Sequence, residues 1–188
     1  DTATHNAIRQ NYSAMVENID RLVGEFIGEV ERRAEMENTL IVFSSDHGEM
    51  LGDHNRWGKT LPYHASASVP LIVAGPGVER GVRSEALVSI MDLAATYLDY
   101  ASVRRPDDMD SRSIRPVLEG RSKAHREVVY SGLQRWRMVW DGRYKLIRGF
   151  EPEPMLFDLE RDPYENENAA SRETGAFERL SKALPQAS

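Results

Sequence analysis

Asp46 and His47 stand side by side where an apolar, β-branched run ends. The run is Thr39 to Phe43, followed by Ser44 and Ser45. A strand ending there delivers a carboxylate and an imidazole together at its C-terminal edge. In open α/β sheets, ligands bind at that edge. Adjacent oxygen and nitrogen donors suit a divalent cation. Neighbouring side chains on an extended chain point to opposite faces, so both reach one ion only if the strand has ended and the backbone turns. Gly48 supplies the freedom for that turn. Lys59 follows closely enough in sequence to return to the same space. A cation with an ammonium beside it can hold a tetrahedral anion, and a preorganised ammonium stabilises charge building on that anion's oxygens. The plainer alternative is a strand-end turn in which Asp46 caps backbone amides and Lys59 is a solvated charge.

The residues that follow form a long polar loop, 46 to 67, punctuated by Gly48, Gly52, Gly58 and Pro62. Loops of this length inside a compact domain are usually functional. His54, Arg56 and His64 are its further candidates for contacting a substrate. For His54, packing within the loop is the favoured reading, and Arg56 competes with a packing or surface role.

The elements that must position these residues are legible from periodicity. Ile8, Tyr12, Met15, Ile19, Leu22, Phe26 and Val30 recur every three or four residues, which predicts a long amphipathic helix over 6–35. Gly24 and Gly28 weaken it and offer places for close packing on a sheet. Thr39 to Ser45 and Val69 to Ala74 show no alternation, which predicts strands buried on both faces. Ser89 to Asp92 reads as a capping box opening a helix through about Tyr100. Strands and helices alternate, so the expected fold class is α/β with a parallel sheet. Residues 102 to 113 carry no periodic signal and read as a linker or surface loop. Beyond about residue 124 the pattern changes. Short strands over 127–133, 135–140, 143–150 and 155–159 are expected, with Asp141-Gly142 as a type I′ hairpin turn. A last helix over 172–183 completes a small antiparallel sheet with one helix. The expected division is 1–123 and 124–188.

Composition bounds the function. With 188 residues, 40% apolar and 29% charged, the chain is an ordinary soluble globular protein. A net charge of −6 argues against non-specific nucleic-acid binding. No apolar run approaches the roughly 20 residues of a membrane helix, and no charged-then-apolar leader is visible. The expectation is a soluble protein whose compartment the sequence leaves open, a bacterial cytoplasm or periplasm being two candidates. There is no cysteine, which excludes disulfides and thiolate metal sites.

The pieces taken together resemble the sulfatase family of the alkaline-phosphatase superfamily. The block T-L-x-x-x-x-S-D-H-G-E-x-L-G-D-H stands at Thr39 to His54, then Lys59, then Y-x-x-x-x-x-V-P-L-I-V at Tyr63 to Val73. Asp92 to Thr96 and LFDLERDPYENENAA at Leu156 to Ala170 continue the match in order. The resemblance implies the C-terminal portion of an alkaline-phosphatase-like core over 1–123, and the C-terminal subdomain of a sulfatase over 124–188. It implies that Asp46 and His47 complete a divalent-metal site with acidic residues from a preceding part, and that Lys59 binds the sulfate group. Family habit favours calcium; the histidine leaves manganese or zinc open. His64 stands where many sulfatases have Glu, and Ser68 where they have Arg, which bears on the substrate.

The family nucleophile is a formylglycine made within C/S-x-P-x-R. Here Ser68-Val69-Pro70 is followed by Leu71-Ile72, without the arginine. The expectation is therefore a piece of a longer sulfatase, inactive alone, whose partners are the N-terminal part of the same protein and a sulfated small molecule or carbohydrate. The rival readings are a phosphonate monoesterase or phosphodiesterase of the same superfamily, and a non-catalytic scaffold.

Overall fold

The computed structural model describes residues 2–184. The apolar stripe at helical spacing does form a helix, α1 (Thr2–Arg32). Its burial does not follow from its pattern. Ile8, Tyr12, Met15, Ile19, Leu22 and Phe26 are exposed, and only Val30 near the C-terminal end is buried. Apart from its chain neighbours and the helix's own backbone, nothing lies within 4 Å of where a Cβ at Gly24 or Gly28 would be, so neither is a close-packing position among the described residues.

The next two elements are β1 (Ile41–Ser44) and β2 (Leu71–Ala74). They pair antiparallel, from Ile41 opposite Ala74 to Ser44 opposite Leu71. The parallel pairing expected from the alternation of elements is corrected here. A parallel neighbour needs a crossover that carries the chain back to the starting edge. The segment between these strands holds only a 3-10 turn, Asp53–Asn55, and the one-turn helix α2 (His64–Ala67), and returns at the same end. The whole 45–70 loop therefore stays beside the C-terminal edge of β1. Burial on both faces is also corrected: Phe43 is 38% and Ile72 62% exposed, since no second layer covers that face among the described residues.

Helix α3 (Asp92–Tyr100) begins at a buried polar knot. The Asp92 carboxylate accepts the Ser89 N–H at 3.1 Å, the reaching-back half of the capping box. It also accepts the Arg112 N–H at 2.9 Å and pairs with the guanidinium of Arg126. Its side chain is fully buried, with His125 Nε2 at 3.1 Å. Burial alone would raise the carboxyl's pKa; Arg126 and the two amides outweigh it and hold it at about 2, from an ordinary 3.8. A depressed pKa of this kind stabilises the fold above pH 3.8 and loses that contribution as pH falls through 2, roughly 2 kcal/mol in all. We expect urea midpoints to fall more steeply between pH 4 and pH 2 in the native chain than in Asp92→Asn. Parallel pH profiles for the two would contradict this account of the knot. The 102–113 segment has no regular structure, and the short α4 (Arg115–Leu118) follows it.

The C-terminal sheet is the antiparallel meander expected. It runs β3 (Val129–Leu133), β4 (Trp136–Trp140), β5 (Tyr144–Arg148) and β6 (Met155–Asp158), paired in that order. The β4–β5 hairpin differs in detail. Asp141 N–H bonds the Tyr144 carbonyl, so the two central residues are Gly142 and Arg143. Only Gly142 has a left-handed backbone, φ +98°. That is the pattern of a type II′ turn with glycine first, where type I′ was expected. The Asp141 carboxylate accepts the amides of Arg143 and Tyr144 instead.

The two faces of this sheet are covered differently. On one, Val139, Leu146 and Leu156 bury against Ala176, Leu180 and Leu184 of α5 (Thr174–Ala183) and its end. On the other, Trp136, Met138, Ile147, Met155 and Phe157 form a second cluster, and Tyr63 and Ala67 pack against it. The second face thus supports the loop that follows β1.

Candidate active site

Asp46 and His47 lie immediately beyond β1, whose last residue is Ser44. The two side chains converge: His47 Nε2 is 3.5 Å from Asp46 Oδ2. Asp46 is 82% exposed at its side chain and His47 36%. The His47 Nδ1–H donates to the Gly48 carbonyl at 2.8 Å, which leaves Nε2 as the acceptor nitrogen. The Lys59 ammonium donates to that Nε2 at 2.6 Å. Three groups separated by thirteen residues of chain thus meet at one exposed point.

Gly48 contributes differently from expectation. Its backbone is not left-handed. Its N–H bonds the Ser66 carbonyl at 2.8 Å, and a Cβ there would sit 2.0 Å from the Ala65 carbonyl oxygen. Glycine is required for close approach of two backbones, and this approach brings α2 beside the Asp46–His47 turn. We expect Gly48→Ala to destabilise the chain by about 1–3 kcal/mol through overpacking against a backbone that cannot yield. Urea unfolding checks this; a loss below about 0.5 kcal/mol would show that the two segments move apart freely.

The path from His47 to Lys59 is tied down internally. Met50 is fully buried, and its N–H bonds the Gly58 carbonyl at 2.9 Å. The Glu49 carboxylate accepts the Gly58 N–H at 2.6 Å. The Gly52 N–H bonds the Arg56 carbonyl at 2.9 Å, closing the tip. Glu49 carries no role in the sequence reading, although it stands within the quoted block.

The remaining candidates separate. His54, with a left-handed backbone, stacks on the Tyr63 ring with centroids 4.0 Å apart. No hydrogen bond joins it to Asp46, His47 or Lys59 among the described residues. Arg56 is exposed at the loop tip. His64 opens α2, edge-on to Trp140 at 6.1 Å. Burial, reinforced by the Lys145 charge, pushes the His64 imidazole below its ordinary value and favours its neutral form. A cleft of about 340 Å³ connects these surroundings to Asp46, and its walls include His64, Ser68, Ser131, Trp140 and Lys145. Lys145 and its partner Glu165 were not singled out from the sequence. Their contacts span 83 and 101 residues of chain, beyond any local pattern.

An exposed carboxylate–imidazole pair with an ammonium against it, at the edge of a strand, is an anion- and cation-binding arrangement. Comparisons with known proteins bear on what it serves. The family model described as Sulfatase matches residues 1–103. Arylsulfatase K of Xenopus laevis is 30% identical over 94% of this chain and 36% of its own length. Among solved structures, BT4656 in complex with its substrate D-glucosamine-2-N,6-O-disulfate superposes with a TM-score of 0.83. It is 28% identical, over 89% of this chain and 37% of that one. The phosphonate monoester hydrolase SpPMH from Silicibacter pomeroyi gives a TM-score of 0.78 and 31% identity, over 88% of this chain and 37% of that one. The chain belongs to the sulfatase family, and its structural neighbours share the alkaline-phosphatase-like fold. It spans about a third of the length of the relatives it matches.

Proposed function

We propose that this chain supplies the Lys59 and Asp46–His47 portion of a metal-dependent sulfatase centre that hydrolyses a sulfate ester. The observation that carries the reading is the meeting of Lys59 Nζ and His47 Nε2 at 2.6 Å beside Asp46. Lys59 holds the ester's anionic oxygens and meets the charge that grows on them as the S–O bond breaks. Asp46 and His47 fit a divalent cation. The Nδ1–H bond to Gly48 makes Nε2 the lone-pair nitrogen, the one a cation would take once the Lys59 ammonium turns away from it, and a carboxylate oxygen lies close by. Among the described residues no cluster of three or more His, Cys, Asp or Glu could hold a metal, so this pair provides part of a coordination shell. Calcium takes about six to eight oxygen ligands; an imidazole ligand suits manganese or zinc as well. When bound, such an ion polarises the sulfuryl oxygens as a Lewis acid.

On this reading the covalent nucleophile, a formylglycine, and the remaining ligands belong to residues outside this chain. The exposed apolar face of α1 is where that further part of the protein packs. The 340 Å³ cleft beside Asp46 takes the alcohol portion of the ester, a sulfated carbohydrate by analogy with the BT4656 complex. His64, Arg56 and His54 stand as the substrate contacts proposed from the sequence, with His64 best placed because it lines that cleft. The phosphonate monoester hydrolase neighbours make a phosphorus ester the second reading.

The test is an aryl-sulfate and a phenyl-phosphonate assay on this chain and on the longer enzyme that carries it. We expect turnover of the sulfate ester by the longer enzyme alone. A preference for the phosphonate ester establishes the second reading, and turnover by the isolated chain overturns the assignment of the nucleophile.

A further inference from the structure

Three side chains of the C-terminal half hold three backbone groups within one short stretch of the site loop. Trp136 on β4 donates its indole N–H to the Thr60 carbonyl at 2.9 Å. Lys145 on β5 donates to the Pro62 carbonyl at 2.8 Å. Glu165, in the turn after β6, accepts the His64 N–H at 2.5 Å. Lys145 and Glu165 then pair with each other, each side chain only 2% exposed.

A buried lysine–glutamate pair is not explained by stability. Taking both charges out of water is costly, and well-packed apolar side chains of the same volume often serve a core as well or better. What the pair does here is fix the backbone from Pro62 to His64. Thr60 points the same way. It is β-branched yet holds a left-handed backbone, φ +82°. Strain of that kind persists only where the surroundings over-determine it, and the Trp136 bond acts on its carbonyl. Lys59 lies between two holds. Gly58 is fixed from the N-terminal side by Glu49 and Met50, and Thr60 from the C-terminal side by Trp136.

We propose that Trp136, Lys145 and Glu165 are positioning residues for Lys59: the C-terminal sheet sets where the Lys59 ammonium stands against His47. The inference rests on the reading of Lys59 as the anion binder. It assigns the sheet a part in the chemistry although no hydrogen bond or ion pair joins any of the three side chains to Lys59 itself among the described residues.

Trp136→Phe is the mildest test, because it keeps an aromatic ring in the cluster and removes only the indole donor. Lys145→Met alone leaves an unpaired buried carboxylate and can fail to fold. Lys145→Met with Glu165→Gln removes both charges together and serves as the second variant. The first readout is amide hydrogen exchange of this chain. Exchange over 58–66 rises about ten-fold in Trp136→Phe, the loss of one hydrogen bond, while β4, β5 and α5 keep their protection. The second readout is turnover of a sulfate ester by the longer enzyme. The turnover number falls about 10- to 100-fold from misplacement, with KM unchanged. The same substitution adds nothing in a Lys59→Ala background, a non-additivity that a merely structural role does not produce. The double variant behaves alike. Unchanged exchange over 58–66, or an equal loss in the Lys59→Ala background, overturns the proposal. Wild-type turnover by Lys59→Ala itself overturns the reading of Lys59 instead, and the positioning role falls with it.

Discussion

If the proposed function holds, we expect replacing Lys59 by alanine in the proposed longer enzyme to lower kcat/KM for a sulfate ester by about 100- to 1,000-fold, the usual cost of deleting one preorganised donor at a developing anion. The magnitude follows from where Lys59 stands. Its ammonium meets His47 at 2.6 Å, on a backbone held at Gly58 and Thr60. A floppy surface lysine reorganises during the reaction and contributes little; one aimed by its flanking residues does not. Stability changes little, because Lys59 is exposed and such substitutions stay within about 0.5 kcal/mol. Steady-state kinetics beside urea unfolding separates the two quantities. A loss below about three-fold would place the anion elsewhere than at Lys59.

Lys145→Met has the opposite signature, with a large cost in stability. It leaves the Glu165 carboxylate, 2% exposed at its side chain, buried without its counter-charge. Breaking one member of such a pair costs about 3–5 kcal/mol, a large share of what a domain of this size has to spare. Removing both charges returns much of that loss, because no uncompensated ion is left buried. Equilibrium unfolding of Lys145→Met, of Glu165→Gln and of the pair together yields the coupling directly. Additive losses would mean that the two side chains do not depend on one another.

Part of this was legible from residue order alone. The stripe from Ile8 to Val30 specified α1, because a period near 3.6 is a property of the helix itself. The turn chemistry of Asp141-Gly142 located the hairpin, though not its type: Asp141 lends its side chain to two amides and leaves the strained position to Gly142. The juxtaposition of Asp46, His47 and Lys59 was legible as a strand end followed by a loop that returns.

The rest depends on contacts between distant residues. An uninterrupted apolar run such as Thr39 to Phe43 says that a strand wants burial; it does not say which neighbour it takes or in which direction. The antiparallel pairing with β2 follows from the absence of a crossover helix in 45–70, which only the structure makes plain. Gly48 reads as a turn glycine in sequence and is a close-approach glycine in space, because Ala65 arrives from seventeen residues away. Lys145 and Glu165 look like ordinary surface charges in their local patterns. They become a buried pair only when β5 and the turn after β6 meet at Pro62.

The central claim is that Asp46 and His47 share one divalent ion next to Lys59. Its most direct test is anomalous diffraction from crystals of the longer enzyme soaked in manganese. The account predicts one peak within about 2.6 Å of both an Asp46 carboxylate oxygen and His47 Nε2, with Lys59 turned toward the neighbouring anion. A peak bound by neither residue, with Asp46 and His47 left in contact only with each other and Lys59, would contradict it.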